Sequence, residues 1–254
     1  LESVDRTGVI AVTGASQGIG AAIALELARR GFTVACLSRR GTTPAVKDPD
    51  RSSIGKRLRG IVCDVTEEPS VRSAIEAAAD SSSGLRGVVN SAGIVIGGPS
   101  SEYALSDFEA VLRINVLGTF SVCQAAYPWL VKHGGGLIVN IGSFWDQMGI
   151  KHYAAYCASK AGVAALTRCL GVEWAREGIR VLDVAPGFLE SAMDTGALAI
   201  AAERQAKFLE SRLPGGRKGR LDEIARVVAG LYYEDVGFLN ATTIYVDGGQ
   251  GPAM

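Results

Sequence analysis

Seven short apolar runs recur along the chain, separated by longer amphipathic segments, and this alternation restricts the possible folds more than any other feature. The runs are Val9 to Thr13, Thr33 to Leu37, Gly60 to Cys63, Gly87 to Val89, Leu137 to Ile141, Ile179 to Val184 and Thr242 to Val246. Most are apolar throughout, whereas a strand with one wet face would alternate, so they read as strands of a parallel sheet covered on both faces. The segments between them supply the cover. Ile19 to Arg30 stops at Gly31; Ser106 with Glu109 forms a capping-box pattern heading a long helix toward His133; two more run from about Tyr153 to Arg176 and from Asp222 to Tyr232. Strand–helix–strand units wind right-handed, so the expected fold is α/β: a doubly wound seven-stranded parallel sheet with helices on both faces, in one domain over residues 1–254. Gly41 to Lys56, with Pro44 and Pro49, reads as irregular loop. Gly187 to Gly216 reads as an insertion at the carboxyl end of the sixth strand, where open α/β sheets bind ligands.

Charge and composition narrow the function classes. The 26 basic and 26 acidic residues cancel, which argues against nucleic acid or an acidic membrane as partner. Neutrality is not local: Arg39 to Gly60 holds Arg39, Arg40, Lys47, Arg51, Lys56, Arg57 and Arg59 against Asp48 and Asp50. Five cysteines form no C-x-x-C pair and suit reduced thiols. His133 and His152 are the only histidines, too few and too badly spaced for a metal site, so no metal is expected. Leu1 to Arg6 lacks the layout of a signal peptide and no apolar run reaches the roughly 20 residues of a membrane span, so a cytoplasmic location is expected.

Thr13-Gly14-Ala15-Ser16-Gln17-Gly18-Ile19-Gly20 follows the first strand and opens the first helix. Glycines in that place permit a tight turn and close backbone approach, and the helix N-terminal amides face a phosphate. The same residues match G-x-S-x-G, the nucleophile elbow of an α/β hydrolase, with Ser16 as nucleophile. That alternative needs a histidine late in the chain, and none follows His152. Further along, Tyr156 and Lys160 are four residues apart in a helical stretch and share one face. An ammonium beside a phenol favours the phenolate, and such a pair can exchange a proton with an alcohol or carbonyl. On spacing alone, a surface helix with an unrelated Tyr and Lys is the other possibility.

With Asn90-Ser91-Ala92-Gly93 after the fourth run, Asn115, Ser143 after the fifth and Pro186-Gly187 after the sixth, these motifs together resemble the short-chain dehydrogenase/reductase family over nearly the whole chain. The resemblance is to its Tyr-x-x-x-Lys branch, including 3-oxoacyl-(acyl-carrier-protein) reductase-like members, and it implies a Rossmann fold and carbonyl–alcohol interconversion by hydride transfer. It implies that Tyr156 is the general acid and base, that Lys160 supports it and binds the nicotinamide ribose, that Ser143 holds the substrate carbonyl, and that Asn115 holds a water leading from Lys160 to solvent. Gly14, Ser16, Gln17, Gly18, Ile19 and Gly20 would cradle the pyrophosphate. Asp64 and Val65 would meet the adenine, Asn90, Ala92 and Gly93 would pack beside the cofactor, and Pro186, Gly187, Leu189 and Ser191 would grip its carboxamide and pyrophosphate. Ser91 stands where a second Asn is usual, and Ser191 where Thr is frequent. Tyr153, seven residues before Lys160, has the spacing of the enoyl reductase branch, but that branch lacks the glycine run present here. The family also implies pairing into a dimer or tetramer.

NAD selection places an acid near the end of the second strand, roughly 20 residues past the glycines. This strand ends Leu37-Ser38-Arg39-Arg40, so NADP(H) is expected over NAD(H), with Ser38 and Arg39 on a 2′-phosphate. Ile94, Phe144, Trp145, Met148, Phe188 and Met193 point to an apolar ketone or acyl-thioester substrate. Arg217 to Arg220 reads as a solvated turn. A dinucleotide sensor without turnover is the alternative outside enzymology, although it would not need the proton-transfer tyrosine.

Overall fold

A computed structural model describes residues 7–46, 51–80, 84–190, 213–234 and 236–253. Seven strands, β1 (Val9–Thr13), β2 (Thr33–Ser38), β3 (Leu58–Val62), β4 (Leu85–Asn90), β5 (Gly136–Ile141), β6 (Ile179–Pro186) and β7 (Thr242–Val246), form one sheet in the order β3-β2-β1-β4-β5-β6-β7. Every neighbouring pair is parallel. This is the doubly wound Rossmann arrangement, and its order reverses between β1 and β4.

The helices are α1 (Gly18–Arg29), α2 (Arg51–Gly55), α3 (Glu68–Ala79), α4 (Leu105–Leu112), α5 (Gly118–Lys132), α6 (Ala154–Glu173), α7 (Leu221–Tyr233) and α8 (Gln250–Ala253). Alternate residues of the central strands feed two separate cores, which is why those strands are largely apolar; the edge strand β3 is half-exposed or exposed along its length. Ile10, Val12, Val34, Val139 and Leu182 pack with Ile23 and Leu27 of α1 and Val228 of α7. Val9, Ala11, Ala35, Ile138 and Val181 pack on the opposite face with Ile75 of α3, Val122 and Leu130 of α5, and Leu170 of α6. Tyr232 of α7 is buried, its hydroxyl donating to the carbonyls of Val88 of β4 at 2.8 Å and Leu137 of the neighbouring β5 at 3.0 Å.

Three expectations need correction. The stretch read as irregular loop contains the five-residue α2, which leads directly into β3. The capping box at Ser106 and Glu109 is not formed: Ala104 is the N-cap, in extended conformation, and Ser106 already lies within the first turn. The long helix is also not uniform. A π-turn over Arg113–Leu117 joins α4 to α5, with the Gly118 amide reaching back to the Arg113 carbonyl.

Candidate active site

The carboxyl ends of the strands around the β1/β4 reversal carry most of the residues singled out in the sequence. The loops after β1 and β4 are tied together by the Thr13 hydroxyl, which accepts from the Ser91 and Ala92 amides at 3.0 and 3.1 Å. Gly14 and Gly18 sit at φ +66 and +59, in the left-handed region that glycine adopts without strain. A Cβ on Gly20 would press on the Gly14 carbonyl at 2.6 Å, whereas one on Gly18 would meet nothing within 4 Å. Gln17, the α1 N-cap, makes no side-chain cap bond, and the first turn holds no acid. The α1 terminus therefore presents amides and open space, as a pyrophosphate requires.

Ser38 is buried at the end of β2, its oxygen accepting from the Thr42 amide at 3.3 Å and its hydrogen left to donate, while Arg39 and Arg40 are exposed. Asp64 follows β3. Its carboxylate is held below the ordinary range chiefly by bonds from the Thr66 amide and hydroxyl at 3.0 and 2.8 Å, and further by the charges of Arg39 and Arg113. Val65 packs against Gly118, where a Cβ would lie 2.9 Å from its Cγ2. The Asn90 side chain turns into the sheet, its amide donating to Asn140 at 2.9 Å and to Cys123 Sγ at 3.3 Å, while its Oδ1 is buried with no hydrogen-bond partner among the described residues.

Asn115 lies in the π-turn and is fully engaged. Its Oδ1 accepts from the Ile94 amide at 2.9 Å, and its Nδ2 donates to the Ile94 carbonyl at 2.9 Å and to Ser159 Oγ at 3.0 Å. Ser159 in turn donates to the Tyr156 carbonyl at 2.7 Å. Lys160 is buried, with Nζ donating to the Ile141 carbonyl at 2.7 Å and lying 5.5 Å from the centre of the Tyr156 ring. Ser143, two residues beyond β5, is buried in extended conformation and accepts from the Trp145 amide at 3.3 Å.

Trp145 anchors an aromatic wall beside this group. Its ring centre lies 5.0 Å from Tyr153, 5.7 Å from Tyr156 and 5.8 Å from Phe188, and Phe144 reaches Phe188 at 5.2 Å. Tyr153 packs against Gly97, where a Cβ would lie 2.8 Å from its ring. Phe188 is fixed by a residue the sequence did not single out: buried Gln250 of α8 accepts from its amide at 2.7 Å. Gly187 fits beneath it because a Cβ there would run into Asp247 at 2.8 Å. Leu189 bridges to Gly219. Ser191 and Met193 lie outside the described residues.

A family model described as "Enoyl-(Acyl carrier protein) reductase" matches residues 14–250. D-threitol dehydrogenase of Mycolicibacterium smegmatis is 34% identical over 241 residues, covering 95% of this chain and 92% of the relative. The 3-oxoacyl-(acyl-carrier-protein) reductase of Haemophilus influenzae is 32% identical over 240 residues, covering 94% and 96%. The chain is a short-chain dehydrogenase/reductase. A crystal structure of a gluconate 5-dehydrogenase from Burkholderia cenocepacia, in complex with NADP and tartrate, superposes at a TM-score of 0.89 with 30% identity, covering 97% of this chain and 96% of the other.

As a short-chain dehydrogenase/reductase it is an oxidoreductase acting on CH–OH and C=O groups, with a nicotinamide dinucleotide as its cofactor. The geometry is consistent with that class and not with a hydrolase at Ser16. His133 lies against Gly8 and Gly84, at the amino ends of β1 and β4, the opposite edge of the sheet from Ser16. His152 is exposed. Among the described residues no helix is long and apolar enough to cross a membrane.

Proposed function

We propose that this chain is an NADP(H)-dependent enzyme, one domain over residues 1–254, that interconverts an apolar ketone or 3-oxoacyl group and the corresponding secondary alcohol, with Tyr156 as general acid and base. The observation that carries the proposal is the placement of the buried Lys160 ammonium, held by the Ile141 carbonyl at 2.7 Å and 5.5 Å from the Tyr156 ring. When bound, the nicotinamide supplies or accepts the hydride. Tyr156 gives its phenolic proton to the carbonyl oxygen in reduction and recovers it in oxidation, and the adjacent ammonium stabilises the phenolate. The Ser143 hydroxyl, whose oxygen accepts from the Trp145 amide and whose hydrogen is left to donate, gives a hydrogen bond to the same oxygen as charge develops on it. Asn115 holds the Ile94 loop and Ser159 in register, and its engaged side chain leaves any water contact toward Lys160 to other atoms.

Gly14, Ser16, Gln17, Gly18, Ile19 and Gly20 hold the pyrophosphate, Asp64 and Val65 the adenine side, and Ala92, Gly93 and the Asn90 backbone the nicotinamide side, joined by Pro186, Gly187, Leu189 and Ser191. Ser38 and Arg39 select the 2′-phosphate, since a guanidinium and a free hydroxyl donor suit it and a carboxylate is missing there. The wall of Phe144, Trp145, Tyr153 and Phe188 supports an apolar substrate. Leu117 at the end of the π-turn, Phe120 on α5 and Val172 on α6 are exposed apolar side chains, which supports a homodimer or homotetramer paired through these helices. All five cysteines are free thiols, in keeping with the cytoplasm.

Tyr156→Phe, folded and binding NADPH, loses turnover on a panel of ketones and 3-oxoacyl thioesters followed by nicotinamide absorbance, while Tyr153→Phe retains it. The reverse pattern overturns the assignment. Wild-type protein that binds the cofactor and turns over nothing on the panel is the sensor instead.

A further inference from the structure

Asp183 is the one acid of β6, among the apolar residues that follow Arg180. It is fully buried, at 0% exposure, and pairs in register with Asn140 of β5 on one side and Thr243 of β7 on the other. With Asn90 opposite Asn140, the register sets a polar row across β4 to β7 beneath α6. The row is bonded at most points: Asn140 Nδ2 donates to Thr167 of α6 at 2.9 Å, and the Thr243 hydroxyl donates to Asp183 Oδ2 at 3.2 Å. Asp183 Oδ1 has no hydrogen-bond partner among the described residues. A valine or threonine would fill the place without burying an open carboxylate oxygen, so packing alone does not explain the residue.

Its neighbourhood does. The carboxylate lies against Gly142, where any Cβ would collide with both oxygens. Gly142 directly follows Ile141, whose carbonyl seats Lys160. Carboxylate and ammonium thus flank one peptide unit, both shut away from water, Lys160 at 8% exposure. A buried cation needs a counter-charge, and Asp183 is an acid inside the fold that feels Lys160 as its largest opposing influence against burial. The other groups facing Asp183 are Thr243 from β7, the Gly142 backbone, and Asp146 of the turn after β5, whose like charge opposes ionisation. Tyr245 of β7 donates to Asp146 at 2.9 Å, and Arg168 of α6 acts on both. Burial, opposed first by Lys160, sets the Asp183 carboxyl at about 6, so it is ionised across the alkaline range in which alcohols are oxidised.

We propose that Asp183 is a positioning residue for the reaction: its buried carboxylate balances the Lys160 ammonium across the Ile141–Gly142 unit and thereby sets the pH range in which Tyr156 exchanges its proton. The proposal rests on the reading of Tyr156 and Lys160 as the proton-transfer pair. Removing the anion leaves the ammonium uncompensated and favours the phenolate, so alcohol oxidation begins at lower pH.

The test is the pH profile of kcat/KM for alcohol oxidation in wild type, Asp183→Asn, Asp183→Val and Tyr156→Phe. Both Asp183 variants move the profile toward lower pH by about half a unit to one unit, the scale of a single charge acting at short range through protein. Below pH 6, where the wild-type carboxyl is itself protonated, their profiles converge on the wild type. Two variants of different shape keep the test open if one folds poorly, because a packing role would lower the melting temperature without moving the profile. Profiles that coincide with wild type while Tyr156→Phe is inactive overturn the role of Asp183 alone. Turnover by Tyr156→Phe removes the proton-transfer reading and this proposal with it.

Discussion

Asn115→Ala is the substitution from which the structure yields the most definite magnitude. The side chain makes three bonds, to the Ile94 amide and carbonyl at 2.9 Å each and to Ser159 at 3.0 Å, from a residue that is itself 1% exposed. A net hydrogen bond contributes roughly 1 kcal/mol, which gives about 3 kcal/mol for the set. Ile94 is only half-buried, so water recovers part of its lost bonding and the expected loss is about 2 kcal/mol. In a chain of this size that lowers Tm by about 4–8 °C, readable by differential scanning fluorimetry. The functional loss should be larger in proportion. Asn115 is the link between the Ile94 loop and Ser159, one turn from Tyr156, and a displacement of reacting groups by an ångström costs up to about 100-fold in rate. The predicted kcat falls by about 10- to 100-fold, with cofactor affinity changed far less. A Tm within about 1 °C of wild type together with unchanged kcat would falsify the claim that this clamp holds the site.

Gly18→Ala should lower Tm by only a few degrees, from the left-handed φ of +59, yet weaken NADPH binding about tenfold or more by calorimetry, because its Cβ enters the space above the α1 amides. Unaltered affinity would place the phosphates elsewhere. Arg39→Ala should reduce kcat/KM with NADPH by about tenfold and leave NADH nearly untouched, and an equal loss with both cofactors would remove Arg39 from selection. Asp64 contributes stability that is fully present above the ordinary carboxylate pKa and lost as pH falls through its depressed value. Thr66→Val removes the hydroxyl bond at 2.8 Å and should flatten the fall of Tm between pH 5 and pH 3, roughly the span over which carboxylates protonate. A slope as steep as wild type would show that other carboxylates dominate.

What could be read from the sequence was what depends on local pattern. β1, β2, β5 and β6 are buried on both faces and therefore had to be written in apolar residues, and Gly14 and Gly18 occupy backbone states that their spacing after a strand already implied. Ser106 and Glu109 show where pattern fails: the chain enters α4 at Ala104, whose amide neighbours close the first turn by backbone bonds alone. Asn90 carries a motif position, yet its side chain answers to Asn140, fifty residues on, because strand pairing and not sequence distance sets its neighbours. Gln250 beneath Phe188 and Asp183 behind Lys160 are likewise products of the sheet order. Asp183 left a trace, the one acid in a mostly apolar strand, but its meaning depended on the register that brought Gly142 and Lys160 to it.

The π-turn ahead of α5 has a consequence for how this chain can vary. A reach from Gly118 back to Arg113 accommodates one residue more than an α-helical turn does. Deleting one residue from 113 to 117 would let the helix run on as regular α-helix with Cys123, Ala126 and Leu130 still facing the sheet, but would remove the local backbone that sets Asn115 against Ile94. A second deletion, now from a regular helix, would rotate everything after it by about 100° relative to α4 and turn α5 off the sheet. Length in this stretch therefore answers to the site before it answers to the core: a single deletion should leave the chain folded and cost activity.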